Sequence, residues 1–310
     1  MCTSMALPTP DGRHLFGRTL DLDTHFGERV VLTPRRFPLC FTDCYPQTHH
    51  YALLGMAAVA KGYPLYAEAM NEKGLCMAGL RFADHAAYAP RPREGWVNLA
   101  PRELIPYLLG HCATLPEARA ALRDVCVVDV PVSEDMPAAP LHWHLADADP
   151  SHGGLIVEVT EEGMRLYDDP PDGMGVLTNA PPYPTQRRRL ANSSAARGDV
   201  AELPGDYAST SRFVRGAALR RLAVAGMGAV GEDHGGGDAA VAHFFRLLGA
   251  VSPPIGAVTT PDGGLHRTLY TCCMDTRFGV YRYTTEEEAT VRRVSFGESD
   301  VGGDTLVFLS

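Results

Sequence analysis

A cysteine stands directly behind the initiator methionine in the opening MCTSMALPTPDGRHLFGRTLDLD. Its side chain is small enough for an aminopeptidase to remove Met1, which would leave Cys2 with a free α-amine beside its own thiol. One residue would then hold both a nucleophile and a base. Thiols titrate near about 8.5 and α-amines near about 7.7 to 8.0, close enough to exchange a proton around neutral pH. Arg18 and Asp21 follow on the next run of strand-forming residues. A neighbouring guanidinium favours the thiolate, and a carboxylate orients an ammonium through a charge-assisted hydrogen bond. The bland alternative is a frayed terminus in which Cys2 is incidental.

These groups need an element to bring them together. Asp11-Gly12 between two strand-like runs is a strong two-residue hairpin signal. If those two residues form the loop, Pro10 pairs with Arg13, Cys2 falls opposite Asp21 and Arg18 opposes Met5. Pro8 and Pro10 can lengthen the turn and move that register by a residue or two. Arg18 and Asp21, three apart, point to opposite faces of a regular strand, so a bulge or bend between them is expected.

Further along, Pro101 before RELIPYLLG and the capping box Thr114-x-x-Glu117 before ARAALRDV mark two consecutive helices. RFVRGAALRRLAV from about Arg212 and AAVAHFFRLLGA, stopping near Gly249, mark two more. GLIVEVT and GVLTN read as buried strands. Asp262-Gly263 separates IGAVTT from HRTLYTCCM, with GVYRYTT as one more strand. The order is β-rich, αα, β-rich, αα, β-rich, which suits two packed sheets covered by helices on both outer faces.

The 310 residues allow two domains or one large layered one, and no linker divides them, so one domain over 1–310 is expected. Hydrophobic residues at 45% and charged ones at 21% support a sizeable core. The net charge of −9 argues against nucleic acid or an anionic membrane as partner, because phosphate binding needs concentrated basic surface. No basic region precedes an apolar one at the N-terminus, and the longest apolar stretch, YALLGMAAVA, is too short to span a bilayer. A cytoplasmic protein with reduced cysteines is expected.

Other patterns carry less. Gly226, Gly228 and Gly231 spell G-x-G-x-x-G, but a helix precedes them and a glycine-rich stretch follows, so they read as a plain loop. Cys40, Cys44, His49 and His50 lack a second half-site for zinc, and no metal is expected. Arg187, Arg188 and Arg189 read as a solvated face. G-x-S-x-G, H-E-x-x-H and Walker sequences are absent.

MCTSMAL with HLFGRTLDLD, NEKGLCMAGL, VSEDMPAAPLHW, LTNAPPY and PGDYASTSRFVR resembles the choloylglycine hydrolase family, which comprises bile salt hydrolases and penicillin V acylases, along essentially the whole chain. The resemblance implies a four-layer αββα N-terminal-nucleophile fold with two mainly antiparallel sheets, no cofactor, and hydrolysis of an amide joining a bulky apolar acyl group to a small amine. It makes Cys2 the nucleophile, Arg18 the group that polarises the thiol, Asp21 the holder of the α-amine, Asn179 a side-chain oxyanion donor and Arg212 a support for the charge network. The second oxyanion donor it implies is the backbone N–H at Arg81, where bile salt hydrolases carry Asn and penicillin V acylases Tyr. The Arg81 side chain could clamp the carboxylate of glycine or the sulfonate of taurine, or point to solvent. Residues 179–212 form a shorter segment than in bile salt hydrolases, where it reaches a neighbouring subunit. The family resemblance implies a homo-oligomer, a tetramer.

The expected activity is hydrolysis of glycine- or taurine-conjugated bile acids through an acyl-thioester, with Leu20 and Met136 as apolar walls for a steroid. An acylase for penicillin V or N-acyl homoserine lactones on the same machinery is the alternative. A catalytically silent small-molecule binder ranks lower, because Cys2, Arg18, Asp21, Asn179 and Arg212 are all in place.

Overall fold

The computed structural model describes residues 1–42, 44–231, 236–260 and 263–309. In chain order the strands are β1 (Cys2–Pro8), β2 (His14–Leu22), β3 (Arg29–Thr33), β4 (Leu39–Phe41), β5 (Cys44–Gln47) and β6 (Leu53–Ala60). Next come β7 (Tyr63–Asn71), β8 (Cys76–Arg81), β9 (Val97–Leu99), β10 (Val125–Val127), β11 (Leu141–Ala146) and β12 (Gly154–Thr160). The last are β13 (Gly163–Asp169), β14 (Val176–Leu177), β15 (Arg267–Asp275), β16 (Val280–Thr285), β17 (Arg292–Ser295) and β18 (Val307–Leu309). The helices are α1 (Leu104–His111), α2 (Leu115–Ala121), α3 (Tyr183–Ala191), α4 (Ser209–Val230) and α5 (Gly237–Gly249).

A six-stranded sheet, β14-β1-β2-β15-β16-β17, packs on an eight-stranded one, β13-β12-β11-β8-β7-β6-β3-β18. The strand pairs within both are antiparallel. Helices α1 and α2 cover the eight-stranded sheet, and α4 and α5 cover the six-stranded one. This is the expected αββα layering. Thr114 caps α2 by accepting the Glu117 N–H at 3.4 Å. Among the described residues no helix is long and apolar enough to cross a membrane.

The opening hairpin departs from the simplest expectation. Its loop spans Thr9 to Arg13, closed by Thr9 N–H to Arg13 O at 2.9 Å and Gly12 N–H to Thr9 O at 3.0 Å. Gly12 adopts φ +74°, which glycine tolerates without steric cost. The longer loop slides the register by one residue, so Cys2 faces Leu20 and Arg18 faces Ser4. The expected irregularity beside Asp21 lies on the neighbouring strand: Thr268 pairs with Asp21 and Tyr270 with Leu20, leaving Leu269 as an extra residue in β15. Strand β2 itself stays regular, so Arg18 faces the opposite sheet and Asp21 the helix layer.

A second bulge matters more for the site. Met56 pairs with Glu68 and Ala57 with Tyr66, so Ala67 is the extra residue in β7. A bulge reverses the side-chain alternation. Tyr66 and Ala69 therefore pack outward beneath α1, whereas Glu68 and Met70 turn in toward the six-stranded sheet. Gly55 is required there, since a Cβ on it would lie 2.1 Å from the Glu68 carbonyl oxygen.

Several local expectations change. Gly226 and Gly228 sit within α4 and Gly231 is its C-cap at φ +71°, so the glycine motif is a helix end and not a loop. Helix α3 is additional to the four expected, and Arg187, Arg188 and Arg189 are exposed on it. The IGAVTT segment contributes only the isolated Thr259–Leu265 bridge. Asp262 of the second Asp-Gly pair and the Cys44 side chain lie outside the described residues.

Candidate active site

Cys2 is 5% exposed at the start of β1, with Leu20 as its cross-strand neighbour. Met1 continues the ladder: its amine donates to the Asp21 carbonyl, and the Asp21 N–H donates to the Met1 carbonyl at 2.8 Å. Asp21 thus meets Met1 through its backbone, one position beyond the expected pairing with Cys2. Its carboxylate, fully buried, accepts from Thr268 Oγ1 at 2.7 Å and Thr19 Oγ1 at 3.2 Å. Burial pushes the Met1 amine below its ordinary pKa, partly opposed by Cys2 and Asp21.

The Cys2 N–H donates to Asn179 Oδ1 at 2.7 Å. Arg212, at the first turn of α4 and fully buried, holds both ends of that contact. Its Nη1 donates to the Cys2 carbonyl at 2.5 Å and to Thr3 Oγ1 at 2.6 Å, and its Nη2 donates to Asn179 Oδ1 at 2.8 Å. Its Nε is anchored on the Tyr207 carbonyl at 3.1 Å. A planar guanidinium can make these parallel contacts where an ammonium could not.

Asn179 follows β14, and its Nδ2 donates to the Arg81 carbonyl at 2.9 Å. Phe82 N–H donates to Pro140 O, while Leu141, which pairs with Arg81, donates instead to the Tyr88 hydroxyl. Arg81 therefore occupies a non-hydrogen-bonded position toward β11, and its N–H and C=O face the β7 edge. β7 pairs with β8 only as far as the Glu68–Ala78 pair, so this edge of Arg81 opens toward Asn179. The Arg81 side chain is exposed. It and the N-terminal ammonium add to burial in holding the His266 imidazole below its usual pKa.

Arg18 fills the gap that the Ala67 bulge opens between β7 and β8. Its Nη1 donates to Gly79 O at 2.6 Å and Ala67 O at 3.2 Å, and its Nε to Thr19 O at 3.1 Å. It is 1% exposed, and Cys2 is the strongest of the groups that favour its charged form. Among the described residues the one carboxylate within 4 Å of its guanidinium is Glu68, with Oε2 at 3.7 Å from Nε.

A second buried pair backs the Asn179 side. His142 Nε2 meets Thr178 O at 2.7 Å, and Nδ1 lies 3.2 Å from Glu158 Oε1, which also accepts the Tyr183 N–H at 2.7 Å. The Phe82 ring stacks on His142 at 4.3 Å. The residue before Asn179 and the residue after Arg81 are thereby fixed on one imidazole. Met136 is half exposed, in the Ser133–Met136 bridge, and lines a cavity with Phe37, Ala60, Tyr63, Leu65 and Val132.

The structure thus gathers Cys2, Arg18, Leu20, Asp21, Asn179, Arg212 and the backbone of Arg81, and leaves out Met136. Sequence reasoning missed Glu68, His142 and Glu158. The signal for Glu68 was present in YPLYAEAMN, where a lone carboxylate interrupts an otherwise uncharged strand and has to find a partner. Among the described residues no cluster of His, Cys, Asp and Glu could hold a metal.

The family model for linear amide C–N hydrolases of the choloylglycine hydrolase family matches residues 2–308. The chain is 35% identical to a bile salt hydrolase/transferase of Lactiplantibacillus plantarum, covering 99% of this chain and 96% of that one. It is 31% identical to a bile salt hydrolase/transferase of Clostridium perfringens, covering 99% and 95%. Among solved structures, the mutant C2A conjugated bile acid hydrolase from Clostridium perfringens superposes with a TM-score of 0.90 at 29% identity, over 100% of this chain and 97% of that one. Penicillin V acylase from Agrobacterium tumefaciens shares the fold, with a TM-score of 0.78 at 22% identity over 98% and 90%.

Proposed function

The chain belongs to the choloylglycine hydrolase family of linear amide C–N hydrolases, and from that premise we propose that it cleaves the amide of glycine- or taurine-conjugated bile acids as one domain, with Cys2 as nucleophile. The observation that carries this reading is the Arg212 clamp, which ties the Cys2 carbonyl and the Asn179 side chain to one guanidinium. The relatives of known name, bile salt hydrolases at 31 to 35% identity along nearly the full chain, supply the substrate class.

The chemistry follows from the neighbours. With Met1 removed, the Cys2 α-amine takes the thiol proton, and Arg18, a buried cation whose charged form Cys2 favours, in turn favours the thiolate. The sulfur attacks the amide carbon, and the carbonyl oxygen turns toward the Asn179 amide and the Arg81 N–H, donors that need little reorganisation. As the C–N bond breaks, the α-amine returns its proton to the leaving glycine or taurine nitrogen. A water then adds to the thioester, its proton passing to the α-amine, and the C–S bond breaks to give the free bile acid and the thiol. Leu20 lies beside the sulfur as an apolar wall for the acyl group.

Glycocholate, taurocholate and penicillin V offered side by side to Met1-free protein test this reading. Release of glycine or taurine, with a mass increase on the Cys2 peptide matching the acyl group, is the expected result. Cleavage confined to penicillin V would move the chain to the acylase branch.

A further inference from the structure

We propose that Glu68 is a positioning residue for the reaction: clamped by Tyr270 and Tyr281, it anchors Arg18 in the β7–β8 gap and subtracts from the positive field that Arg18 places on Cys2. This rests on the reading of Cys2 as nucleophile with Arg18 beside it. Glu68 lies on the eight-stranded sheet, is fully buried, and reaches across to the six-stranded one. Its Oε2 accepts from the Tyr270 hydroxyl at 2.7 Å and its Oε1 from the Tyr281 hydroxyl at 2.7 Å. Arg18 Nε stands 3.7 Å from Oε2.

Arg18 makes three hydrogen bonds to carbonyls through Nε and Nη1, and these do not balance its charge. A buried guanidinium without a counter-ion is costly, and a buried carboxylate is tolerated only when its lone pairs are engaged. Glu68 meets both requirements: Arg18 on β2, Tyr270 and Cys272 on β15 and Tyr281 on β16 all face it, the two tyrosine hydroxyls as donors and Arg18 as the opposite charge. Burial pushes its carboxyl up, while Arg18 and the two tyrosines pull it down. Arg18 is consequently shared between two anionic positions, Glu68 on one side and the Cys2 thiolate on the other. The carboxylate keeps the arginine in place and moderates how far it acidifies the thiol, so that sulfur remains a strong nucleophile.

The test is the pH dependence of Cys2 alkylation by iodoacetamide in Met1-free protein, followed by peptide mass mapping, for wild type, Glu68→Gln and Tyr281→Phe. Removing the buried negative charge should move the alkylation midpoint of Glu68→Gln to lower pH by about one unit, the scale of a close buried charge. Tyr281→Phe removes one of the donors that hold Glu68 in its charged form, so a larger share of Glu68 is protonated and the midpoint should move the same way by less. A merely structural role would alter thermal unfolding and leave the midpoint in place. Unchanged midpoints in both variants, or shifts to higher pH, overturn the proposal; if Glu68→Gln does not fold, Tyr281→Phe alone decides it. Slow alkylation of wild-type Cys2 at every pH would instead refute the nucleophile reading on which the proposal stands.

Discussion

Asn179 Nδ2 donates to the carbonyl oxygen of Arg81 at 2.9 Å, joining residues that lie 98 positions apart. Because the N–H and C=O of one strand residue share an edge, the amide of Arg81 opens toward the same side as the carbonyl that Asn179 now occupies. On the proposed reading, a substrate carbonyl arriving there would compete with Arg81 O for the Asn179 amide and gain the Arg81 N–H. The pair therefore presents one side-chain donor and one backbone donor to the same small volume.

Asn179→Ala should lower kcat on glycocholate about a hundredfold to a thousandfold, the usual cost of deleting an oxyanion donor. Its second bond, to the Cys2 N–H, makes some loss of order at the terminus part of the effect. Full kcat in a folded Asn179→Ala protein would rule it out as an oxyanion donor.

Arg81→Asn keeps the backbone N–H, so kcat should change little. If the exposed guanidinium clamps the anionic end of a conjugate, KM for glycocholate and taurocholate should rise, by a contact of about 3 kcal/mol at most. An uncharged bile acid amide, assayed in parallel, should be indifferent. Equal effects on charged and uncharged substrates reject the clamp, and a hundredfold fall in kcat for both places the Arg81 side chain in the catalytic machinery.

Protein that retains Met1 should be inactive, because Cys2 N is then a peptide nitrogen without basicity and donates to Asn179 Oδ1. Intact mass measured on the assayed sample checks this directly. An active preparation consisting of the Met1-bearing form would refute the proton path through the α-amine.

Cys2→Ala should abolish turnover and Cys2→Ser should lose most of it, since a hydroxyl is far less acidic than a thiol. Burial pushes the Cys76 and Cys272 thiols well up and Cys112 to about 11, so these should resist iodoacetamide at neutral pH. Cys40, exposed, is the competitor to separate by peptide mapping. Substitution of Cys76, Cys112 or Cys272 should cost stability more than turnover.

Stability should fall as the pH drops below about 6.5. Burial holds His14 down to about 4 and His144 to about 3 in the folded protein. An unfolded histidine titrates near 6.5, so between these values the unfolded chain binds more protons and gains on the native state. The loss begins near the unfolded value and levels off below the folded ones. The buried His14 accounts for about 3 kcal/mol of this span. Urea unfolding between pH 7.5 and 4 measures it, and His144→Gln should flatten the slope; a variant with the wild-type slope would show that His144 does not contribute.

The sequence reveals the layering because alternation, capping and turn signals are local. Thr114 and Glu117 behave as a cap, and the runs at Gly154–Thr160 and Val176–Leu177 become buried strands. The hairpin register was less legible: Thr9 and Asp11 hydrogen-bond within the loop, at 2.5 Å, and help absorb the residue that a two-residue turn would have paired. The residues that gather around Cys2 could be named from motifs, but their contacts could not. Arg18 reaches Gly79 and Ala67 only because β7 bulges, and nothing local in YPLYAEAMN marks Ala67 as the unpaired residue. Glu68 shows itself as a lone carboxylate in need of a partner, but not which partner, since the bulge decides the face it joins. Met136 reads as a wall only from its apolar character, and nothing local shows that its cavity is shared with Phe37, Tyr63 and Leu65.

Asn179 and Arg212 are 33 residues apart in the chain and 2.8 Å apart in space. Everything between them, including α3, is an excursion whose two ends are fastened at the site. Length can therefore be gained or lost inside that excursion while the fastening stays where it is. For a lineage of enzymes this separates two rates of change: the two fastened residues are held still, while the segment between them is free to be rewritten by insertion and deletion.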